Sequence, residues 1–425
     1  MRLDELFRDK VAMRTHSHLR FAVLFVAAAL LLVGCQKKND PHHIVIWHQM
    51  QPADKLMMEQ QIKQFTDSHP GISVEMIFKE TEELRSGFIV AAIAGQGPDL
   101  VYGPADQVGP FEVMGIIKPL EELFEKEYLD EFIPQAINYY RGHLYQLPDK
   151  LGNHLTLIYN KDLMPVPPQT DEELIEKGRA LTKDFDADGR PDQYGLTWNY
   201  TEPYFFVPFM TGFGGWVMTD DGVPTIDSRG TIDGLKFIRD LRDKYKIIPN
   251  ESDYNIADAL FKDGKSAMII NGDWSWAAYK KAGLNYGVAP LPKIVSTGLY
   301  CAPMVSPRGF CMNITVSAEK ETIVVELLKW LMEPRNQIAA ARQLYSMPTR
   351  KQAVQSDFVQ SDEILRNSAL QIERGRLLPM MPQLRAIWDA MRPSYQAVLS
   401  GTKTPEQAAR EMQDLALRKI REMNE

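Results

Sequence analysis

Three short stretches of the sequence place large aromatic side chains beside carboxylates or a guanidinium group. TEPYFFVPF contains Glu202 and Tyr204, and NGDWSW contains Trp274. In PQLRAIWDAMRPSY, Trp388 lies one helical turn before Arg392, so the two side chains share a helix face. Sugars have apolar C–H faces that flat rings cover, and hydroxyl groups that charged side chains bind. A lone tryptophan more often belongs to a core, but the three stretches together predict a carbohydrate-binding cleft.

Sequence motifs of catalysis are mostly missing from the chain. It has no G-x-S-x-G elbow, no H-E-x-x-H metal motif, no G-x-x-x-x-G-K-[ST] phosphate loop and no C-x-x-C pair. We therefore predict a binding protein that is not an enzyme. Carboxylates are plentiful, so a secreted glycoside hydrolase or lyase that uses two of them stays an alternative.

The stretch DFDADGRPDQYG resembles the start of a calcium-binding loop. Asp184, Asp186 and Asp188 occupy the first alternating ligand positions of an EF-hand. An EF-hand needs a bidentate Glu at its twelfth position, where this chain has Gly195, although Asp192 could substitute as in other calcium-stabilised loops. Two interpretations stay open: a structural Ca²⁺ site, or a solvated loop held by side-chain turns. No other cofactor is expected.

The first residues have the pattern of an export signal. An apolar run over 21–33 follows Arg20, and it is shorter than the about 20 residues that a membrane-spanning helix needs. This pattern predicts a secretory signal peptide over 1–34. The sequence LVGC resembles a bacterial lipobox, which implies cleavage before Cys35, lipid attachment to it, and a tether over 35–41. We therefore expect an exported, membrane-anchored lipoprotein in the periplasm or at the cell surface, with an ordinary signal peptide as the alternative.

Two further cysteines, Cys301 and Cys311, would lie in the exported part of the chain. An oxidising compartment permits a disulfide, and the proline and glycine residues between them could turn the chain back on itself. The sequence leaves two possibilities open, a Cys301–Cys311 disulfide or two unpaired buried thiols.

Length and charge restrict the class of protein. The chain has 425 residues and a formal net charge of −8. This length exceeds one typical domain and favours two lobes. A nucleic acid is not an expected partner, because phosphate binding needs basic clusters, and the sequence has none.

Apolar periodicity predicts two α/β units. Early in the chain, short β-branched runs alternate with helical patterns, as in a parallel sheet whose ligands bind outside the carboxyl ends of its strands. A second unit follows, and long helices close the chain, among them 405–423. The strands are predicted over 42–48, 72–78, 99–103, 154–160, 266–272 and 285–292.

An extended resemblance to bacterial maltose/maltodextrin-binding proteins runs from about Ile44 nearly to the C-terminus. Its most specific motifs are LIYNKDL, EPYF and ING.W.W, which occur in the family's order and spacing together with GQGPDLVYGPADQVG and PQLRAIWDAMR. These proteins are the substrate-binding subunits of ABC sugar importers. The resemblance implies a two-lobed periplasmic-binding-protein fold with a hinge, and delivery of a mono- or oligosaccharide to the transmembrane permease. It implies an N-lobe over 42–151 and 311–356, and a C-lobe over 152–310 and 357–425.

The resemblance also implies a set of ligand contacts. Tyr204, Trp274 and Trp388 would stack on sugar rings. The polar contacts would be Asp106, Glu202, Tyr254 and Arg392, with Asn153 at a position where the family has Glu.

The chain departs from the family in the N-lobe half of this set. Gln49 and Met50 stand where the family has a sugar-binding Asp-Lys pair, and Asp54 comes too late in the sequence to replace it. Gly103 and Gln107 replace a family Trp and Arg. We therefore predict that charged hydroxyl-binding groups are lost from this half, which leaves open a substituted or different oligosaccharide in place of maltose.

Overall fold

The structure is a computed structural model that describes residues 40–423. The predicted signal peptide over 1–34 and the predicted lipid attachment at Cys35 lie outside the described residues. Two sheets organise the described part of the chain. Their strands are β1 (His43–His48), β2 (Ser73–Phe78), β3 (Leu100–Pro104), β4 (Leu147–Gly152), β5 (Leu155–Asn160), β6 (Tyr194–Thr197), β7 (Ser266–Gly272), β8 (Tyr286–Ala289), β9 (Met304–Met312), β10 (Met347–Pro348) and β11 (Arg376–Leu377).

Helices cover both sheets. Their apolar residues recur with helical spacing; the last helix, for example, buries Ala408, Met412 and Ala416 along one stripe. The helices are α1 (Pro52–Ser68), α2 (Thr81–Ile93), α3 (Val108–Val113), α4 (Lys126–Leu129), α5 (Asp171–Leu181), α6 (Val207–Gly212), α7 (Arg229–Asp243), α8 (Tyr254–Lys262), α9 (Trp276–Lys281), α10 (Ala318–Leu331), α11 (Pro334–Leu344), α12 (Lys351–Val354), α13 (Asp357–Ser361), α14 (Glu363–Arg374), α15 (Gln383–Leu399) and α16 (Pro405–Met423).

The first sheet has the strand order β10-β4-β9-β3-β1-β2, with β11 paired to β9. Strand β1 runs parallel to both β2 and β3, as the alternation of strands and helices predicts. Strand β9 runs antiparallel to β3 and β4 and carries the late part of the chain into this sheet. The predicted α/β class is therefore confirmed.

The second sheet has the order β6-β7-β5-β8 and mixes parallel and antiparallel pairs. The chain enters it through the short β4–β5 connection and leaves it between β8 and β9. Helix α14 returns to it, because Asn367 donates to the Val288 carbonyl (2.8 Å) and Gln371 accepts from the Leu291 amide (2.6 Å). Several segments thus connect the lobes, although the predicted residue limits of each lobe stay a prediction.

The two inner cysteines lie in different hydrophobic clusters. Cys301 packs in the second lobe with residues such as Met304, whereas Cys311 packs in the first lobe against Val101 and Phe111. Both are buried free thiols in the structure, which agrees with the second of the two open possibilities, two unpaired thiols. Burial raises the pKa of Cys311 to about 12 and that of Cys301 well above its ordinary value.

Hydropathy along the helices bears on membrane insertion. Among residues 40–423, no helix is both long enough and apolar enough to cross a membrane.

Candidate functional site

A cleft with a cavity volume of about 300 Å³ lies between the two lobes. The first lobe contributes the segments that follow β1, β2 and β3, which is where ligands of parallel sheets bind. The second lobe contributes residues from two 3₁₀ helices, Pro203–Phe205 and Asp273–Ser275, and from α15. The lining includes Gln49, Met50, Gln51, Asp54, Thr81, Glu82, Arg85, Gly103, Asp106, Lys150, Asn153, Glu202, Tyr204, Trp274, Arg308, Arg385, Trp388 and Arg392.

Three aromatic rings form one wall of the cleft. The ring centroid of Tyr204 lies 6.4 Å from that of Trp274 and 6.4 Å from that of Trp388. The three residues are far apart in the sequence, and the fold of the second lobe brings them together. The structure therefore places all three predicted stacking residues around one shared gap, as sugar recognition requires.

Trp274 is held in place from behind. Its indole Nε1 donates to the Tyr254 hydroxyl at 3.1 Å. Gly272 lies against its ring, because a Cβ at Gly272 would come within 2.1 Å of a ring carbon. Tyr254 is not among the residues that line the cleft. In the structure it supports Trp274, and the predicted ligand contact of Tyr254 stays a prediction.

Tyr204 is tied to the connection between the lobes. Its hydroxyl donates to the backbone carbonyl of Asn153, which lies between β4 and β5. Asn153 has a positive φ of 43°, a conformation that Asn tolerates better than most residues, and its side chain donates to Ser306 Oγ at 3.3 Å. Burial raises the pKa of Tyr204 well above its ordinary value, so the hydroxyl stays protonated.

Glu202 and Arg392 form a bidentate ion pair in the cleft lining. Arg392 donates from Nε to Glu202 Oε1 (3.1 Å) and from Nη2 to Oε2 (3.0 Å), and from Nη1 to Asp389 (3.3 Å). The hydrogen bond with Glu202 raises the pKa of Arg392. The bidentate contact fixes the orientation of the pair, and both residues line the cleft.

Asp106 begins the opposite wall, just after β3. Arg85 Nη2 donates to its Oδ2 at 2.6 Å. The other oxygen, Oδ1, is buried and has no hydrogen-bond partner among the described residues. A ligand hydroxyl group could donate to this oxygen, which fits the ligand contact predicted for Asp106.

The first-lobe wall carries charges that the sequence analysis missed. Asp54, in the first turn of α1, forms an ion pair with Lys150 of β4, and their side chains are only 12% and 7% exposed. Both residues line the cleft. The predicted loss of charged groups from this half is therefore wrong. The sequence analysis missed this pair because its two residues are 96 positions apart in the sequence.

Two further ion pairs join the lobes at the cleft. Arg308 of β9 donates to Asp273, which follows β7, and its guanidinium lies 6.0 Å from the Trp274 ring centroid. Burial alone would lower the pKa of Arg308, but Asp273, Tyr102 and Asp54 together outweigh burial and hold the pKa above its ordinary value. Glu82 of α2 pairs with Arg385 of α15.

The cleft has many charged side chains, but their positive and negative charges nearly cancel. Each of its cationic side chains contacts a carboxylate, so the cleft offers many fixed hydrogen-bonding groups without a surplus of positive charge. The pairs are Arg85 with Asp106, Lys150 with Asp54, Arg308 with Asp273, Arg385 with Glu82 and Arg392 with Glu202.

The acidic loop lies outside the cleft lining. Carboxylate oxygens of Asp184, Asp186 and Asp188 lie within 4.8 Å of one another, and all three residues are exposed. Each accepts a backbone N–H, for example from Gly189 to Asp184 at 2.9 Å, and Asp192 accepts from Phe185 at 2.7 Å. The side-chain turns of one interpretation are therefore present, and calcium stays a prediction.

A pair of α/β lobes around an aromatic and polar cleft is the architecture of a solute-binding protein. The chain matches the model of the family described as bacterial extracellular solute-binding protein over residues 60–367. It belongs to that family.

Known proteins support this assignment. A maltotriose-binding protein from Pyrococcus abyssi is 28% identical over 364 residues, which cover 85% of this chain and 78% of the relative. The maltose/maltodextrin-binding domain from Bdellovibrio bacteriovorus, solved with maltotriose, is 43% identical with a TM-score of 0.85, covering 89% of this chain and 100% of that domain. The Thermus thermophilus maltotriose-binding protein, also solved with maltotriose, is 27% identical with a TM-score of 0.81 and the same coverage. The two-lobed periplasmic-binding-protein fold is thereby confirmed.

Proposed function

We propose that this protein is the receptor of an ABC sugar importer, which captures a neutral maltooligosaccharide between its lobes and delivers it to the membrane permease. The observation that carries the proposal is the shared gap between Tyr204, Trp274 and Trp388, opposite the charged groups of the first lobe. The maltotriose named for the similar proteins supports a ligand of about that size.

The cleft chemistry suits a neutral ligand with many hydroxyl groups. The aromatic wall would cover the apolar faces of the sugar rings, and Asp106, Asp54 and Glu202 would accept hydrogen bonds from hydroxyl groups. Lys150 and Arg392 would donate to them. A phosphate or carboxylate on the ligand would have to compete with a carboxylate for a guanidinium or ammonium partner, because these cations are already paired.

Capture would follow from closure of the lobes. A ligand that touches both lobes binds the closed form more tightly than the open form, and it shifts the equilibrium by that difference. A shift from 1:99 to 99:1 needs about 5.5 kcal/mol. Several hydroxyl hydrogen bonds and two or three stacked rings can supply this amount.

The geometry supports binding rather than hydrolysis. A glycoside hydrolase needs two carboxyl groups free for acid–base or nucleophilic work. In this cleft Arg392 occupies both oxygens of Glu202, and Arg85 occupies one oxygen of Asp106. We therefore propose that the protein leaves its ligand unchanged.

We further propose export and anchoring through Cys35. The lipobox-like LVGC and the short apolar run before it support lipid attachment, and the description of the family as extracellular supports export. Several acyl chains hold a protein at a membrane far more firmly than one. Anchoring would keep the receptor close to its permease.

Calorimetry of residues 40–425 with maltose, maltotriose and maltotetraose tests the proposal. We expect saturable one-to-one binding, a ligand-dependent rise in melting temperature and no new reducing ends after long incubation. New reducing ends that disappear in Glu202→Gln would overturn the receptor function in favour of a hydrolase. Absence of binding to any of the three sugars would overturn the ligand class.

A further inference from the structure

A second cavity of about 190 Å³ lies beside the cleft; we refer to it as the side chamber. It shares a wall with the cleft, because Glu82, Arg85, Asp106, Arg385 and Trp388 line both cavities. A group attached to a ligand that stacks on Trp388 is therefore adjacent to the side chamber.

Away from this shared wall, the side chamber is mostly apolar. Ile89 of α2 and Pro110 and Phe111 of α3 come from the first lobe, whereas Met381 and Leu384 come from the second. Sugar hydroxyl groups would lose hydrogen bonds to water against such a surface, which makes a further sugar ring a poor occupant. An alkyl or aryl group would instead gain by leaving water.

One buried polar side chain in the lining of the side chamber has no hydrogen-bond partner among the described residues. Gln107 is 1% exposed, and neither its Oε1 nor its Nε2 has a hydrogen-bond partner among the described residues. Gln107 follows Asp106 in the sequence and lines the side chamber. Buried amides are normally satisfied, so this one indicates a missing partner, such as the oxygen that joins a sugar ring to its substituent.

We propose that the side chamber receives a hydrophobic aglycone, an alkyl or aryl group at the end of a ligand whose sugar rings lie in the cleft. This inference rests on the proposed function. An apolar group in the side chamber would contact both lobes, since Ile89 and Leu384 belong to different ones. It would therefore favour the closed form by the same differential affinity as the sugar.

The test compares methyl maltoside with hexyl maltoside, used below its micelle-forming concentration, by calorimetry on residues 40–425. The two ligands differ only in apolar chain length. We expect hexyl maltoside to bind at least about tenfold more tightly, because each buried CH₂ favours binding several-fold. Equal affinities, with maltotriose binding intact, would overturn the inference and leave the proposed function standing. If neither maltoside nor maltotriose binds, the proposed function fails.

Variants of side-chamber residues test where the extra affinity for hexyl maltoside arises. Ile89→Asp places a charge in the side chamber, and Ile89→Trp fills it; both should bring the ratio of the two affinities close to one while methyl maltoside binds as before. Val90→Asp is the matched control, because Val90 is the next residue on the same helix and is 71% exposed. Val90→Asp should keep the full ratio of the affinities for hexyl and methyl maltoside. A gain that survives in the folded Ile89→Trp variant, or that Val90→Asp removes equally, would place the alkyl chain elsewhere.

Discussion

Arg308 and Asp273 join the two lobes at the cleft: the guanidinium comes from β9 of the first sheet and the carboxylate directly follows β7 of the second. Both side chains are largely buried; Arg308 Nη2 donates to Asp273 Oδ2, and Arg308 Nε and Asp273 Oδ1 have no hydrogen-bond partner among the described residues. The contact therefore links the stability of the fold to the arrangement of the lobes.

Arg308→Met should lower the free energy of unfolding by about 3 kcal/mol, because it leaves the Asp273 carboxylate buried without its partner. Urea unfolding measures this change. The double variant Arg308→Met/Asp273→Asn should recover part of the loss, since no uncompensated charge remains. A double variant no more stable than the single one would show that the ion pair is not the cause.

Loss of either tryptophan should weaken sugar binding. Trp274→Ala and Trp388→Ala remove stacking area from the aromatic wall and should each weaken maltotriose binding by about 1–3 kcal/mol, with the fold kept. Calorimetry gives the affinity and circular dichroism the fold. Trp330→Ala is the control, because Trp330 packs against Phe65 in the first lobe, away from the cleft. If the Trp330 variant loses as much affinity, the loss does not come from stacking.

Gly272→Ala should disrupt the site without touching the ligand. The backbone at Gly272 has φ −93°, which any residue adopts, so the effect would be the clash of the new methyl group with the Trp274 ring. We expect a loss of affinity close to that of Trp274→Ala. Gly87→Ala is the control, since its Cβ would lie at an ordinary 3.7 Å from the nearest atom. Unchanged affinity in Gly272→Ala would mean that Trp274 has room to move.

Acid should destabilise the protein through His154. Burial lowers the pKa of this histidine from 6.5 to about 4. Between these pH values the unfolded chain binds a proton that the native chain does not, so stability is complete above pH 6.5 and falls as the pH falls towards 4. The loss from this residue should be roughly 3 kcal/mol at most. His154→Gln should flatten the dependence of urea unfolding on pH over this window; an unchanged slope would assign the effect to other groups.

Calcium at the acidic loop has a direct test. Because side-chain turns already satisfy Asp184, Asp186 and Asp188, we expect a chelator to leave the melting temperature unchanged. A rise in melting temperature with added Ca²⁺ that Asp186→Asn removes would instead establish a structural calcium site.

The sequence predicted the aromatic wall because local signals carried it. Tyr204 and Trp274 lie in short turns beside polar residues, and Trp388 shares a helix face with Arg392. Such patterns need only a few neighbouring residues to be recognised. The parallel strands β1 to β3 were predicted for the same reason.

The charged half of the cleft could not be predicted in this way. Lys150 and Arg308 lie on strands, where an isolated basic residue has no distinguishing pattern, and their partners are distant in the sequence. Tyr254 was assigned a ligand contact from motif position alone; in the structure its hydroxyl accepts a hydrogen bond from Trp274, and it is not among the residues that line the cleft. Contacts that depend on how two lobes meet are properties of the tertiary fold.

The hydrogen bond from the Tyr204 hydroxyl to the Asn153 carbonyl connects the aromatic wall of the cleft to the β4–β5 connection between the lobes. A ligand that displaces the Tyr204 ring would therefore also displace the backbone between β4 and β5. Under the proposed function, ligand contact and lobe movement are thus coupled through one tyrosine side chain.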